Sequence, residues 1–262
     1  MIKTAVVILN WNGKKFLSEF LPSVTKFSRN DARVIVADNA STDDSVSFIR
    51  SNFPEVEIIQ NSDNWGFAKG YNEALKNVEA EYFILLNSDV EVSENWILPV
   101  IDLMDNNPKI AACQPKIKAF HNKDHYEYAG AAGGFIDRYG FPFCRGRIFT
   151  TVEEDKHQYD TSIEIFWASG ACMFVRAELF KKAGGFDEHF FAHMEEIDLS
   201  WRFQNMGYQI FCCSEAEIYH VGAGTLAKIN ARKTYLNFRN NLEMLYKNMP
   251  FKVFIKTIPI KL

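Results

Sequence analysis

The first 115 residues alternate between two hydrophobic periods, and this alternation leaves the chain few architectures to adopt. Short β-branched runs fall at residues 5–9, 34–38, 56–60, 82–86 and 110–112, with segments of helical spacing between them at 14–27, 43–52, 67–78 and 95–105. Strands that alternate with helices of this length form βαβ units with right-handed crossovers, so an α/β fold around a mostly parallel sheet is expected. The unbroken apolar runs Val6-Val7-Ile8-Leu9 and Phe83-Ile84-Leu85-Leu86 suit strands covered by helices on both faces. Ser41-Thr42-Asp43-Asp44 and Ser93-Glu94-Asn95 carry the capping and acidic residues of helix starts.

The alternation then stops. Residues 117–163 hold Gly130, Gly133, Gly134, Gly140 and Gly146 without a clear period, which marks a functional loop or small subdomain. A second ordered block follows, with strands expected at 171–175, 209–212 and 218–220 and helices at 177–183 and 195–206. The end of the chain is different in charge. Residues 226–262 carry eight Lys or Arg and the single acid Glu243, on a chain whose net charge is −4. A basic tail on an acidic body points to a local anionic partner and away from nucleic acid. From Tyr235, apolar residues recur at Phe238, Leu242, Leu245 and Met249, a stripe expected to pack a helix on the body. Residues 250–262, with Phe251, Val253, Phe254 and Ile255 beside Lys252 and Lys256, are expected to meet an anionic membrane surface.

Five cysteines without a CxxC pair speak against a disulfide framework and for a reducing compartment. The opening MIKTAVVILNWNG has too short an apolar run for a signal peptide, and no run approaches the ~18 residues of a spanning helix. A cytoplasmic location is expected, peripheral on the inner face of the cytoplasmic membrane if the tail binds lipid.

Doubly wound sheets bind ligands beyond the carboxyl ends of their strands. Here those ends run into Asn10-Trp11-Asn12-Gly13, Asp38-Asn39-Ala40-Ser41, Asn61-Ser62-Asp63-Asn64 and Asn87-Ser88-Asp89. Any one of these loops is adequately explained by capping and turns, but four together form a polar rim with acids fit to hold a cation. No GxxxxGK[ST] is present and no GxGxxG follows the first strand, which excludes a P-loop NTPase and disfavours a nicotinamide site. His189 and His193 have the spacing of zinc ligands, but Phe190 stands where HExxH places its glutamate. Glu195, Glu196 and Asp198 open a helix, and one of them is a candidate general base.

Seven blocks in order, VVILNWNG, VIVADNASTDDS, NWGFAKGYNEAL, YFILLNSDVEV, WASGACMFVRAELFKKAGGFDEHFF, EEIDLSWR and IYHVGAG, resemble the glycosyltransferase family 2 enzymes, most closely their rhamnosyltransferase-like branch. The resemblance implies a GT-A fold over residues 1–225, a Rossmann-like sheet flanked by helices, with a smaller acceptor-side region and a C-terminal helical tail at 226–262. Residues 1–115 would form the nucleotide-binding half and 116–225 the acceptor and catalytic half. It also implies inverting transfer of a hexosyl or rhamnosyl group from a UDP- or dTDP-sugar to a glycan or lipid-linked acceptor in cell-surface polysaccharide or glycolipid assembly, with Mn²⁺ or Mg²⁺. By the same resemblance, Asn10, Asn12, Asp38, Asn64, Gly66, Phe67, Asn72, Asn87 and Ser88 would line the nucleotide site. Asp89 and His220 would hold the metal, and Glu196 would be the base, with Asp198 as its fallback.

Two positions depart from the family pattern. Asn87 replaces the first Asp of DxD, and Glu196 replaces the Asp of ED. These departures keep open a catalytically impaired relative that only binds the nucleotide sugar, and a sugar nucleotidyltransferase is the other alternative. The chemistry itself asks for these groups. A diphosphate leaves more readily when a divalent cation neutralises it, and a single carboxylate that takes the acceptor's proton supports direct displacement with inversion.

Overall fold

The computed structural model describes residues 3–222 and 231–261. The end of the block IYHVGAG and the beginning of the tail therefore lie outside the described residues. The first part of the chain runs β1 (Thr4–Asn10), α1 (Lys14–Ser28), β2 (Arg33–Asp38), α2 (Ser45–Asn52), β3 (Glu57–Gln60), α3 (Gly66–Leu75) and β4 (Tyr82–Asn87). Next come β5 (Val90–Val92), α4 (Leu98–Asn106), β6 (Ile110–Ala119) and β7 (Asn122–Tyr126). The α4 helix starts three residues later than its sequence pattern, because Asn95 is left-handed (φ 57°) and Pro99 occupies the first turn.

The stretch without a period is built of short pieces: β8 (Gly134–Ile136), β9 (Pro142–Cys144), β10 (Arg147–Ile148), β11 (Thr151–Val152) and β12 (Ile163–Ile165). The chain closes with β13 (Cys172–Arg176), α5 (Ala177–Lys182), a 3-10 turn at Glu188–Phe190, α6 (Glu195–Asn205), β14 (Gln209–His220), α7 (Ala231–Asn248) and α8 (Phe251–Lys261). Instead of two short strands, β14 is a single one. Its register against β6 shifts between Cys213 and Glu217, and that irregularity hides the continuity from the sequence.

The main sheet has ten strands in the order β12-β14-β6-β13-β4-β1-β2-β3, with β5 on β14 and β7 on β6. It is mixed. Pairing is parallel from β3 through β2 and β1 to β4 and again between β6 and β14, and β13 runs antiparallel between β4 and β6. Cores lie on both faces, one under α1, α2 and α4 and the other under α3, α5 and α6. A third core joins Tyr126, Cys144, Trp167, Phe190 and Ile197 to Met244 and Leu245 of α7. The tail helix is thus part of the body.

The face that α7 buries differs from the expected stripe. Leu236, Asn240, Asn241, Met244, Leu245 and Asn248 point inward, whereas Tyr235 and Phe238 are exposed. All five cysteines are buried thiols, and no described helix is long and apolar enough to cross a membrane.

Candidate active site

Register aligns the strand ends. Asn10 pairs with Asp38, Asp38 with Gln60, and Leu9 with Asn87, so β1, β2, β3 and β4 deliver their carboxyl ends to one rim. His220 reaches the same rim from β14, opposite Val90 of β5.

On the nucleotide side, Asp38 is fully buried, and its oxygens accept from Asn10 Nδ2 at 2.9 Å, Ser41 Oγ at 2.6 Å and the Ser41 N–H at 2.9 Å. The Asn10 side-chain oxygen Oδ1 is buried without a donor and packs against Gly13, where a Cβ would come within 2.3 Å of it. Asn12, left-handed at φ 50°, accepts at Oδ1 from the Thr42 N–H at 2.7 Å and so fastens the first loop to the second. Asn64 Oδ1 accepts from the Gly66 N–H at 3.1 Å, and Asn39 Nδ2 donates to the Gly66 carbonyl at 2.9 Å. Gly66 must be glycine twice over: its φ is +70°, and a Cβ would lie 2.7 Å from the Phe191 ring. Ser88 follows Asn87 and faces the β1–α1 loop, its Oγ lying 3.8 Å from where a Gly13 Cβ would stand.

Asn72 is not brought to this rim. Its amide donates to the Phe186 carbonyl at 2.8 Å and accepts the Phe186 N–H at 2.9 Å, which ties α3 to the loop after α5.

On the cation side, Asp89 Oδ1 lies 3.2 Å from His220 Nε2, and both residues are buried. Asn87 Nδ2 is 3.4 Å from the same ring nitrogen. Burial works against a charged imidazole, but the carboxylates of Asp89 and Glu127 outweigh it and push His220 up to about 10. A cation held at Nε2 would have to displace that proton. The residues present fit a divalent ion: a carboxylate and an imidazole converge, and His220 Nδ1 is a buried polar atom without a hydrogen bond, facing a further carboxylate.

That further carboxylate is Glu127, which follows β7 inside the stretch that lacks a period, where no motif signals it. A different acidic cluster, Asp155, His157 and Asp160, also has ligand spacing. Lys116 and Lys118 already pair with it at 2.7–2.9 Å, and these ammonium groups hold Asp155 well below the usual carboxylate range despite its burial. Two resident cations make it a poor metal site.

On the base side, α6 opens from Met194 at φ 74°. Glu195 is buried and Glu196 half-buried, and each has one oxygen with neither solvent nor a hydrogen-bond partner. Burial pushes both carboxyls up, Glu196 to about 7, with the Glu196 charge adding to the rise at Glu195. A Cβ at Gly170 would lie 3.9 Å from Glu196 Cβ and 3.4 Å from Phe67 Cζ, so this glycine separates the donor-loop ring from the glutamate. Its neighbour Ala171 accepts the Asn87 N–H at 3.0 Å, which sets the glutamate beside the DxD-like turn.

Asp198 points elsewhere. It is fully buried and paired with Arg202 Nε at 2.8 Å, Asn248 Nδ2 at 2.8 Å and Lys247 Nζ at 2.9 Å. Two residues along a helix diverge by about 200°, which takes Asp198 away from the face of Glu196 and leaves it no free oxygen for an acceptor.

Residues 5–184 match the family model described as glycosyl transferase family 2. The chain is 26% identical over 233 residues to N-acetylglucosaminyl-diphospho-decaprenol L-rhamnosyltransferase of Mycobacterium tuberculosis, a span covering 82% of this chain and 75% of that protein. Its fold is similar to GalNAc-T7 solved with UDP, GalNAc and Mn²⁺, with TM-score 0.72 and 16% identity over 94% of this chain; the match spans about half of that protein, 48%. It is also similar to the mannosyltransferase PcManGT from Pyrobaculum calidifontis in complex with GDP-Man and Mn²⁺, with TM-score 0.67 and 14% identity, covering 99% of this chain and 69% of that one.

Proposed function

The chain belongs to glycosyl transferase family 2, and on that premise we propose that it is a divalent-cation-dependent, inverting glycosyltransferase with Glu196 as its base. The donor is a UDP- or dTDP-sugar, and the group moved is a hexosyl residue such as rhamnose. One observation carries this proposal: Gly170-Ala171 has Glu196 and Phe67 against its first residue and the Asn87 N–H on the carbonyl of its second. A sugar lying across this bare backbone would have the base on one side and the diphosphate end of the site on the other.

Asn10, Asn12, Asp38, Asn64, Gly66 and Phe67 shape the nucleotide side, with Asn87 and Ser88 at its diphosphate end. Asn72 braces the donor loop from behind. Asp89 and His220 would hold the cation, which when bound neutralises the diphosphate leaving group. The acceptor hydroxyl attacks C1 as its proton passes to Glu196, the C1–O bond to the diphosphate breaks, and the nucleoside diphosphate leaves with the electron pair. Burial that lifts the Glu196 carboxyl to about 7 makes it a better proton acceptor while leaving it ionised above that pH.

Residues 1–115 serve the nucleotide and 116–225 the acceptor. The name of the mycobacterial relative supports a polyprenyl-diphosphate-linked acceptor for this chain also. Phe251, Val253 and Ile255 of α8 are exposed beside Lys252 and Lys256, which supports contact with an anionic lipid surface and a peripheral place on the cytoplasmic face. Membership in the family sets the sugar nucleotidyltransferase aside. The test is a panel of nucleotide sugars assayed for donor hydrolysis and transfer with and without Mn²⁺, the anomeric configuration of product being read by NMR. Cation-independent turnover, or retention of configuration, would remove the mechanism; binding without turnover would leave the impaired relative.

A further inference from the structure

Glu127 is a buried carboxylate that the proposed chemistry does not use. Two local features hold it in place. Its own N–H donates to the Ile117 carbonyl at 2.9 Å, and its Oε2 accepts the Ala129 N–H at 2.5 Å. With Oε2 anchored, Oε1 is left facing the His220 ring, 3.7 Å from Nδ1. The backbone after the histidine leaves space for it. Gly222 has φ +70°, and a Cβ there would stand 2.8 Å from Glu127 Oε1, so a side chain at this position would push the carboxylate away. On the opposite edge of the ring, Nε2 faces Asp89 Oδ1 at 3.2 Å. Asp89, His220 and Glu127 therefore lie in line, a carboxylate at each nitrogen of one imidazole.

An imidazole ligand needs one nitrogen for the ion and a partner on the other to fix its tautomer and plane. Among the described groups, Glu127 is the acceptor that faces Nδ1, and 3.7 Å is a few tenths of an ångström beyond a hydrogen bond. We propose that Glu127 is a positioning residue of the cation site: by accepting from Nδ1–H it turns the Nε2 edge of His220 toward Asp89 and the incoming divalent ion. This rests on the assignment of Asp89 and His220 as the cation's ligands. It adds a residue from the acceptor half, which no motif signals, to a site otherwise built from strand ends.

The test titrates Mn²⁺ into the full chain with UDP or dTDP present and counts free ion by electron paramagnetic resonance. Wild type, His220→Ala, Glu127→Ala and Glu127→Gln are compared, and the histidine ¹⁵N signals of each protein are recorded. His220→Ala is expected to lose the site. Glu127→Ala should weaken Mn²⁺ binding by about 10–100-fold, the usual effect of removing such a partner, with its metal-free unfolding temperature near that of wild type. Glu127→Gln keeps an acceptor and should fall between the two. A purely structural role would not move the His220 ¹⁵N signals, whereas loss of the Nδ1 partner should shift the Nδ1 signal of the ring. If Glu127→Ala does not fold, Glu127→Gln carries the test through its Mn²⁺ affinity and ring signals. Affinity within twofold of wild type and unchanged ring signals in the Glu127 variants, with the site lost in His220→Ala, would overturn the proposal and leave the cation site standing. Equal Mn²⁺ binding by wild type and His220→Ala would overturn the cation site, and this proposal with it.

Discussion

The side-chain nitrogen of Asn240 lies 2.7 Å from the carbonyl oxygen of His193, and the same nitrogen is 2.9 Å from the carbonyls of Phe190 and Ala192. Three residues of that loop are left-handed without being glycine: Phe191 at φ 59°, His193 at 72° and Met194 at 74°. Each such residue costs on the order of 1 kcal/mol, so the loop needs support from outside itself. The Phe191 carbonyl meanwhile accepts the Phe67 N–H at 3.0 Å, and Met194 leads directly into Glu195 and Glu196. One amide on α7 thus steadies both the loop that meets Phe67 and the entry to the helix bearing Glu196, the proposed base. Asn240→Leu is expected to lose about 1–3 kcal/mol for each buried carbonyl left without a donor, and to lower kcat more than it raises the donor KM. Thermal unfolding and steady-state kinetics would check this; wild-type kcat in a folded variant would reduce the amide to a purely structural contact.

Glu196→Gln keeps the shape of the side chain and removes the proton acceptor. Turnover should fall by about 10²–10⁴, the usual contribution of a general base, with donor and cation binding near wild type. Glu196→Asp should retain part of the activity.

The same residue predicts two pH dependences. Wild-type turnover should rise with pH through about 7 as the carboxyl ionises. Stability should move the other way. A carboxyl whose folded pKa is raised from 4.5 to about 7 favours the folded state below 4.5, and that contribution is lost as pH climbs through 7. Glu196→Gln should therefore unfold at a higher temperature than wild type at pH 8, with the gap closing below pH 5. An equal gap at both pH values would show that the glutamate is not held protonated by its surroundings.

Asp198→Asn should act on stability and leave chemistry alone. It removes the buried anion between Arg202 and Lys247, partners 20% and 32% exposed. Breaking such a pair costs on the order of 3 kcal/mol, less here because water reaches both cations. Turnover per folded molecule should stay within a few-fold of wild type. A drop of a hundredfold or more would make Asp198 the base after all.

The α8 surface should bring the protein down with anionic vesicles at low salt and release it at high salt. Changing Lys252 and Lys256 to Glu should weaken the partition by at least about 30-fold, since each basic residue contributes about 1 kcal/mol. No sedimentation at low salt would end the membrane proposal.

What the sequence discloses and what it hides have separate physical causes. The strands and helices of residues 1–115 are legible because a buried parallel strand is apolar throughout, as β1 and β4 are, and each ends in polar residues at the rim. The β8–β9 and β10–β11 hairpins were not legible, because strands of two or three residues are too short to show a period. The buried face of α7 departs from its apolar stripe for a subtler reason. Hydrophobic periodicity selects Phe238, but the helix buries Asn240, Asn241 and Asn248, whose partners are distant groups such as the Gly140 carbonyl and the Asp198 carboxylate. An asparagine satisfied in this way counts as core, and no local pattern can show it. Glu127 escaped notice similarly, its meaning residing in a histidine far along the chain. The resemblance puts Asn72 and Asp198 near the chemistry, whereas their hydrogen bonds run to the Phe186 backbone and to Arg202, Lys247 and Asn248.

Asn87 and His220 meet across a sequence separation of 133, the first at the end of β4 and the second at the end of β14. Closing so long a loop is slow and entropically costly, so β14 is among the last strands able to join its neighbours as the chain emerges and folds. Until it does, the rim formed by the ends of β1, β2 and β4 lacks the imidazole proposed to hold the cation. The order of the strands thus makes His220 one of the last groups to arrive at the rim.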